Sequence, residues 1–253
     1  MGIIESRRLR ASEIRYMNDS TELVYALKLL DTAITARSRS GSHAIGFLSS
    51  FSQWLHSQIN QGPMLFSASF RANGNLLSQW RGYSNHGKGV SLGFNHEAIQ
   101  SLAVSQEFYL GQCLYDAEKQ HTLVYEIVDC LLSMYQEGAD MTAIFQSIEA
   151  DLMTICALLK HPSFAEEQEW RLISPTFKST ASSPIAFREG KAMLVPYYLF
   201  DLESDGIIKL DHVFVGPTPN AALSVNALMH YLTNKDARPV NGISDSEIPY
   251  RPR

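Results

Sequence analysis

The stretch from Phe164 to Pro175, FAEEQEWRLISP, constrains the fold of this chain more than any other segment. Its carboxylates, at Glu166, Glu167 and Glu169, come directly before an apolar run that Ser174-Pro175 ends. This pattern is typical of a β-strand that enters a hydrophobic core with its acidic end at the mouth. The segment therefore predicts a core strand that begins close to Glu169.

The two faces of this strand have different chemistry. Alternate residues of a strand point to opposite sides of the sheet, so Glu169 and Arg171 share one face, and Trp170 and Leu172 the other. We expect Trp170 and Leu172 to pack inward and Glu169 and Arg171 to line a surface or cleft. A carboxylate on a rigid strand beside other carboxylates is a candidate for acid/base catalysis or for stabilising a cation. The alternative, which these residues alone favour, is a solvated strand entry whose Glu169–Arg171 ion pair contributes little.

The distribution of helices and strands predicts an α+β fold with a mixed, mostly antiparallel sheet. Strands are expected at 64–70 and 90–94, and amphipathic helices at 44–61 and 76–84, without a regular βαβ period. Two long helices, 118–137 and 141–159, are divided by Gly138 and predict a helical hairpin inserted between strands. We expect one α+β domain over 1–253, with this insertion at about 118–159.

The charge pattern argues against a broad phosphate-binding surface. The net charge is -5, and the stretch from Ser101 to Trp170 holds twelve acidic residues against Lys119 and Lys160. We therefore expect weak binding to duplex DNA at physiological salt. Arginines near the N-terminus form a small basic segment that indicates an anionic partner or, more simply, a solvated face.

The cysteines and the apolar segments predict a cytoplasmic protein. The sequence shows no secretory signal, and its three cysteines are far apart, which is typical of reduced thiols. The best candidate for a membrane span, 123–135, contains Glu126 and Asp129, so no membrane association is expected. The oligomeric state is left open.

Common nucleotide and hydrolase motifs are missing from the sequence: it contains no GxxxxGK[ST], GxGxxG or GxSxG. His161 with the three glutamates could bind a metal ion, but no HExxH or paired histidine supports this, and we predict no metal site. Trp80 and Tyr83, three residues apart, share a helical face. They are most simply core anchors, and one could instead form a stacking surface for a base.

Several groups of residues carry a resemblance to a known family. Together they resemble an uncharacterised bacterial family, domain of unknown function 2971, over nearly the whole chain. The resemblance motifs are Leu9–Glu22, Ser67–Phe70, Trp80–Ser84, Gly89–Phe94, Lys160–Phe164, Glu167–Arg171, Val215–Thr218 and Ser246–Arg251.

The layout of the chain also resembles, more distantly, ADP-ribosyltransferases such as the DNA-modifying toxin DarT. In those proteins a helix and a Leu-rich extended piece precede a serine or tyrosine strand, and a later strand begins with the catalytic glutamate. This resemblance implies an ADP-ribosyltransferase-like sheet core with NAD as substrate. It implies that Glu169 is the catalytic carboxylate within an E-x-E pattern, Glu167-Gln-Glu169, and that Ser67 and Ser69 shape the nicotinamide pocket. Trp80, Tyr83 and Arg171 would support that pocket.

The opening of the sequence departs from the family pattern. Family members have a strand with a His-Tyr-Thr-like motif before the segment with which this sequence begins, Gly2-Ile-Ile-Glu-Ser6. From this we expect either a start codon placed too late or a member that does not bind NAD.

The leading hypothesis is an NAD-consuming ADP-ribosyltransferase-like enzyme, a toxin or phage-defence effector, whose acceptor is a protein, a nucleic acid or a small molecule. Glu169→Gln is expected to lower turnover roughly a hundredfold, because the transition state carries positive charge. It is expected to leave folding almost unchanged, as for an exposed carboxylate. The alternatives are a non-catalytic binding module and a metal-dependent nuclease or hydrolase that uses the glutamate cluster.

Overall fold

A computed structural model of the chain describes residues 2–17, 21–39, 44–84, 89–179, 184–190 and 192–248. Residues 18–20 of the first resemblance motif and 249–251 of the last lie outside this description. The helices are α1 (Gly2–Ser6), α2 (Thr21–Arg39), α3 (Ile45–Gln61), α4 (Leu77–Tyr83), α5 (His96–Ser105), α6 (Ala117–Met134), α7 (Met141–Leu158) and α8 (Ala221–Asn234), with 3-10 turns at Ile14–Tyr16 and Pro162–Glu167.

The strands are β1 (Arg8–Glu13), β2 (Phe66–Arg71), β3 (Val90–Phe94), β4 (Tyr109–Gln112), β5 (Glu169–Ile173), β6 (Ile185–Glu189), β7 (Leu194–Asp201), β8 (Glu203–Ser204), β9 (Ile207–Ile208), β10 (Leu210–Val215) and β11 (Ile243–Asp245). Six of them form a sheet in the order β4-β5-β2-β1-β7-β6, three form a sheet β11-β10-β3, and β8 pairs with β9. The pairs β1–β2, β6–β7, β3–β10 and β8–β9 are antiparallel, and β10–β11 is parallel. The prediction of a mixed, mostly antiparallel α+β fold is confirmed.

The chain divides into two compact units. The first comprises residues 1–10, 71–110 and 199–253, and the second comprises 11–70 and 111–198. The second unit contains α6 and α7, close to the bounds expected for the helical insertion. The single domain over 1–253 stays a prediction.

Local sequence explains the helices of the second unit. In α3, Phe47, Phe51, Leu55 and Ile59 recur at helical spacing and are buried. Side-chain caps fix the starts of the next two helices, since Asp116 accepts a hydrogen bond from the Lys119 amide and Asp140 accepts from the amides of residues 142 and 143. The apolar stripes of α2, α3, α6 and α7 meet in one core cluster, which also receives Ile173 from β5 and Leu65, the residue before β2.

Helix α7 is the one helix in the described part of the chain that is long and apolar enough to span a membrane by length and composition. The segment singled out in the sequence, 123–135, lies in α6 and at its C-terminal end. The α7 residues Phe145, Leu152, Met153 and Cys156 lie in the core cluster. Packing within this unit therefore accounts for part of the apolar surface of α7.

The packing of β5 differs from the expectation in one respect. Leu172 is fully buried as predicted, whereas Trp170 is only half-buried. Glu169 and Arg171, expected at a surface or cleft, are each 1% exposed. Ile173 follows them on the same strand face and belongs to the helix-covered core cluster. The expectation failed because both faces of this inner strand are covered, so alternation could not separate an inner from an outer face.

Candidate functional site

The ammonium group of Lys160 joins two of the predicted site residues. Lys160 is fully buried, and its Nζ donates to Oε2 of Glu167 at 2.6 Å and to Oε2 of Glu169. It also lies 5.2 Å from the centre of the Phe164 ring. Because one ammonium bridges both carboxylates, Glu167 and Glu169 are held within reach of a single atom.

Arg171 occupies the other oxygen of Glu169. Its Nε donates to Glu169 Oε1 at 2.8 Å, and its Nη1 donates to the carbonyl of Ala157 in α7 at 2.5 Å. The Glu169 carboxylate is therefore bound by a cation at each oxygen. We call Lys160, Glu167, Glu169 and Arg171 the buried charge cluster; it contains two cations and two anions.

The backbone around the cluster is held by neighbouring strands and loops. The Glu169 amide donates to the Tyr115 hydroxyl at 3.0 Å, and the Cys113 amide donates to the Glu169 carbonyl at 2.9 Å. Lys160 is fixed in the same way, because its amide donates to the Leu114 carbonyl at 3.1 Å. Both charged residues thus have anchored main chains as well as paired side chains.

A left-handed residue separates the two glutamates. Gln168 ends the 3-10 turn at Pro162–Glu167 with φ 41°, and its amide donates to the Ala165 carbonyl at 3.2 Å. This conformation costs free energy for a residue other than glycine and persists where surrounding contacts fix it. It allows Glu167, on the turn, and Glu169, on the strand, to reach the same lysine.

The pKa of Glu169 reflects competing effects. Burial alone would raise it, but the charge and hydrogen bond of Arg171, with hydrogen bonds from Lys160 and Ser69, lower the pKa from 4.5 to about 2. The carboxylate is therefore ionised throughout the physiological range. A carboxylate with so low a pKa is a weak base, and it is suited to electrostatic stabilisation of a cation.

Ser69 and Ser67 lie on β2, which is the neighbour of β5 in the sheet. Ser69 is exposed, and its side chain forms a hydrogen bond with Glu169. Ser67 is 1% exposed and its hydroxyl has no hydrogen-bond partner. The structure thus brings Ser69 to the buried charge cluster, while Ser67 occupies a buried position on the same strand.

The accessibility of the glutamates differs from the expectation. Glu169, expected as an exposed cleft carboxylate, has 1% of its side chain exposed, whereas Glu167 has 19%. The idea that Glu169→Gln leaves folding unchanged is therefore wrong in its premise, because that substitution removes the charge between two buried cations. The accessible polar groups of the site are Glu167 and Ser69.

The two aromatic residues of α4 belong to the first unit. Trp80 is 5% exposed, and its Nε1 donates to Asn75 Oδ1 at 2.8 Å, which makes it a core anchor. Tyr83 is 67% exposed and is available for stacking. Their proposed part in NAD binding stays a prediction.

Sequence reasoning missed four residues that build this site. Gln120 is fully buried and donates through Nε2 to the carbonyls of Lys160 at 2.7 Å and Leu114 at 2.6 Å. The Tyr25 hydroxyl in turn donates to Gln120 Oε1 at 2.7 Å. Tyr115 and Lys160 complete the set. A signal was present for Lys160, since it is one of two lysines in a strongly acidic stretch and lies shortly before the glutamates.

The alternative of a metal site at His161 receives no support from this geometry. Nδ1 of His161 accepts a hydrogen bond from the Ser163 amide at 3.2 Å, and the ammonium of Lys160 lies between Glu167 and Glu169. Among the described ranges, no group of three or more His, Cys, Asp or Glu side chains is arranged to hold a metal ion.

Comparison with known proteins supports the family resemblance in part. The family model described as protein of unknown function (DUF2971) matches residues 79–172 of the 253-residue chain. The matched segment includes the buried charge cluster and both aromatic residues of α4, and it ends before Ile173. No curated protein and no solved structure matches the chain.

Proposed function

We propose that the chain is an ADP-ribosyltransferase-like protein that binds NAD as substrate and cleaves the bond between nicotinamide and ribose. The observation that supports this best is the position of Glu169. It is the first residue of an inner strand and is hydrogen-bonded by Ser69 on the neighbouring strand. Along the chain, α1, β1, β2 and β5 come in the order helix, extended piece, serine strand and glutamate strand, with other elements between them.

The chemistry of the reaction suits a permanent carboxylate anion. When the glycosidic bond breaks, its electron pair passes to the nicotinamide nitrogen, which becomes neutral, and positive charge develops on the ribose. Fixed negative charge near that carbon stabilises the transition state, as carboxylates do in glycosidases. The acceptor, which is water or a nucleophile on a protein, nucleic acid or small molecule, then attacks the ribose carbon and releases its proton.

In this proposal, exposure to solvent decides which residues contact the substrate. Ser69 and Glu167 are open to solvent and would meet the substrate first, while Glu169 supplies negative charge from just beneath them. Arg171 and Lys160 hold Glu169 in place. In the cell, such an NAD-consuming protein would act as a cytoplasmic toxin or phage-defence effector.

Nicotinamide release, followed by chromatography, tests the proposal. We expect the wild type to release nicotinamide from NAD, and Ser69→Ala and Glu167→Gln to lower the rate about tenfold or more, as for loss of a polar group at a charged transition state. The matched controls are Ser49→Ala and Glu118→Gln, on exposed helix positions of the same unit, which should keep the wild-type rate. A wild type that releases no nicotinamide, or variants at Ser69 and Glu167 with the wild-type rate, would contradict it.

A second candidate function is a non-catalytic binding module. The burial of Glu169 favours it, because a carboxylate that is 1% exposed and bound by two cations can serve the fold alone. In this case the folded wild type is inert toward NAD, and substitutions in the buried charge cluster affect only stability.

A further inference from the structure

We infer that Lys160 is the positioning residue of this site, which holds Glu167 and Glu169 together as a pair of anions beside the substrate. This inference rests on the proposed function for its catalytic meaning. It goes further in naming a residue that touches neither NAD nor the reacting atoms. It follows from the geometry of one buried ammonium between two carboxylates.

Hydrogen bonds hold both main-chain polar groups of Lys160, its carbonyl and its amide. Its carbonyl accepts from Gln120 Nε2 at 2.7 Å and its amide donates to the Leu114 carbonyl at 3.1 Å. Gln120 is itself held by the Tyr25 hydroxyl from α2 at 2.7 Å. A buried lysine loses much side-chain entropy, and such a fully hydrogen-bonded surrounding offsets part of that cost. The ammonium is thus presented to the glutamates from a preformed support.

The charge balance explains why the site needs this lysine. Without it, Glu167 and Glu169 would lose the cation that they share, while Arg171 would stay bound to Glu169 alone. Two neighbouring carboxylates without a shared counterion do not both stay ionised, and one takes up a proton at higher pH. The Lys160 hydrogen bond lowers the pKa of Glu169, so loss of the lysine should raise that pKa.

The groups that face the lysine limit what else could cause such a change. Glu167 faces it from the 3-10 turn, and Glu169, with Arg171 beside it, from β5. Tyr115, which precedes α6, interacts electrostatically with Lys160, Glu169 and Cys113. Tyrosine and cysteine ordinarily titrate above pH 8, so neither accounts for an effect on the acid side.

Lys160→Met, which keeps most of the length of the side chain and removes its charge, tests the inference. In the pH profile of nicotinamide release, we expect the acid limb to move up by about one to three pH units, the usual effect of an adjacent charge. A carboxyl titration by nuclear magnetic resonance, with labelled glutamate, should show the same upward shift of Glu169. Lys178→Met is the matched control, since Lys178 also pairs with a glutamate, Glu149, at 2.7 Å in the same unit. It should leave both measurements unchanged.

The titration separates this inference from the proposed function. If the wild type releases no nicotinamide, the proposed function fails, and a shifted Glu169 titration still supports the role of Lys160. An unshifted titration in Lys160→Met overturns that role whether or not NAD is cleaved. If Lys160→Met does not fold, Lys160→Met with Glu167→Gln restores equal numbers of cations and anions. In that double variant a Glu169 titration equal to that of Glu167→Gln alone overturns the inference, and an upward shift relative to Glu167→Gln supports it.

Discussion

Two ion pairs of the second unit, Lys160–Glu169 and Arg37–Asp129, have similar hydrogen-bond geometry in opposite surroundings. In the first, 0% and 1% of the side chains are exposed; in the second, 35% and 49%. Arg37 even makes two hydrogen bonds with Asp129, at 2.6 and 2.5 Å, and lies 5.0 Å from the centre of the Tyr125 ring. Contact geometry alone would rank the surface pair as at least equal.

Solvent makes the difference between them. Water screens the exposed charges and solvates whichever partner remains after the other is removed, so an exposed pair contributes little. A buried charge has no such replacement, and removing one partner leaves the other desolvated and unpaired. The stability of the buried charge cluster therefore depends on every member, while the surface pair is dispensable.

Glu169→Gln should have the largest effect. The substitution leaves Lys160 and Arg171 facing a neutral amide, and Gln can accept from only one of them without turning its own NH₂ toward a donor. We expect the free energy of unfolding to fall by about 3 to 5 kcal/mol, measured by urea denaturation. Glu118→Gln on the exposed face of α6 is the control. A loss equal to that of the control would show that the cluster is not a stability determinant.

Acid should weaken the fold through the same carboxylate. The pKa of Glu169 is lowered from 4.5 to about 2, so its contribution is fully present above about pH 4.5 and is lost as pH falls toward 2. Glu13 acts in the opposite sense, because burial raises its pKa; its contribution declines as pH rises above 4.5. As the pH is lowered from about 4.5 toward 2, the urea midpoint should therefore fall more steeply for the wild type than for Glu169→Gln. Parallel slopes would contradict the assignment to Glu169.

Glu167→Gln should lie between the buried and the exposed pairs. Its side chain is 19% exposed, and Lys160 keeps Glu169 as a partner after the substitution. We expect a loss of about 1.5 to 3 kcal/mol in the free energy of unfolding, the range for a hydrogen bond to a charged group. Thermal and urea unfolding of Glu167→Gln and Glu169→Gln, measured side by side, show which substitution costs more stability. A larger loss for Glu167 than for Glu169 would reverse the view of which glutamate the fold depends on.

Much of the fold could be predicted because its signals are local. The strand Val90–Phe94 has the expected bounds, and the helices Ala117–Met134 and Met141–Leu158 lie within a few residues of theirs. Apolar periodicity and side-chain caps determine such elements over short stretches of chain. The strand at Glu169 also follows from alternation in the sequence. The placement of Ser69 beside it is expected from the resemblance, not from alternation.

The environment of Glu169 could not be predicted, because it depends on distant contacts. Alternation in Glu169–Ile173 separates two faces but does not show that α7 covers the face with the charges. Lys160 reaches Glu167 and Glu169 through a 3-10 turn and a left-handed Gln168, neither of which has a strong sequence signal. The support from Tyr25 through Gln120 joins residues 95 positions apart.

Asp129→Asn should have the smallest effect and is the strictest check on the comparison. The substitution removes the charge opposite Arg37 and keeps the shape of the side chain, and water can solvate the guanidinium in its place. We expect urea midpoints of the variant and the wild type to coincide, with any small difference shrinking further when salt is raised from 0.05 to about 1 M, where charges are screened within about 3 Å. The matched variant is Glu169→Gln under the same salt conditions, whose loss should persist because salt does not reach a buried pair. If Asp129→Asn lowers stability as much as Glu169→Gln does, exposure is not what separates the two pairs. The two hydrogen bonds and the Tyr125 contact of Arg37 would then have to account for the stability of the surface pair.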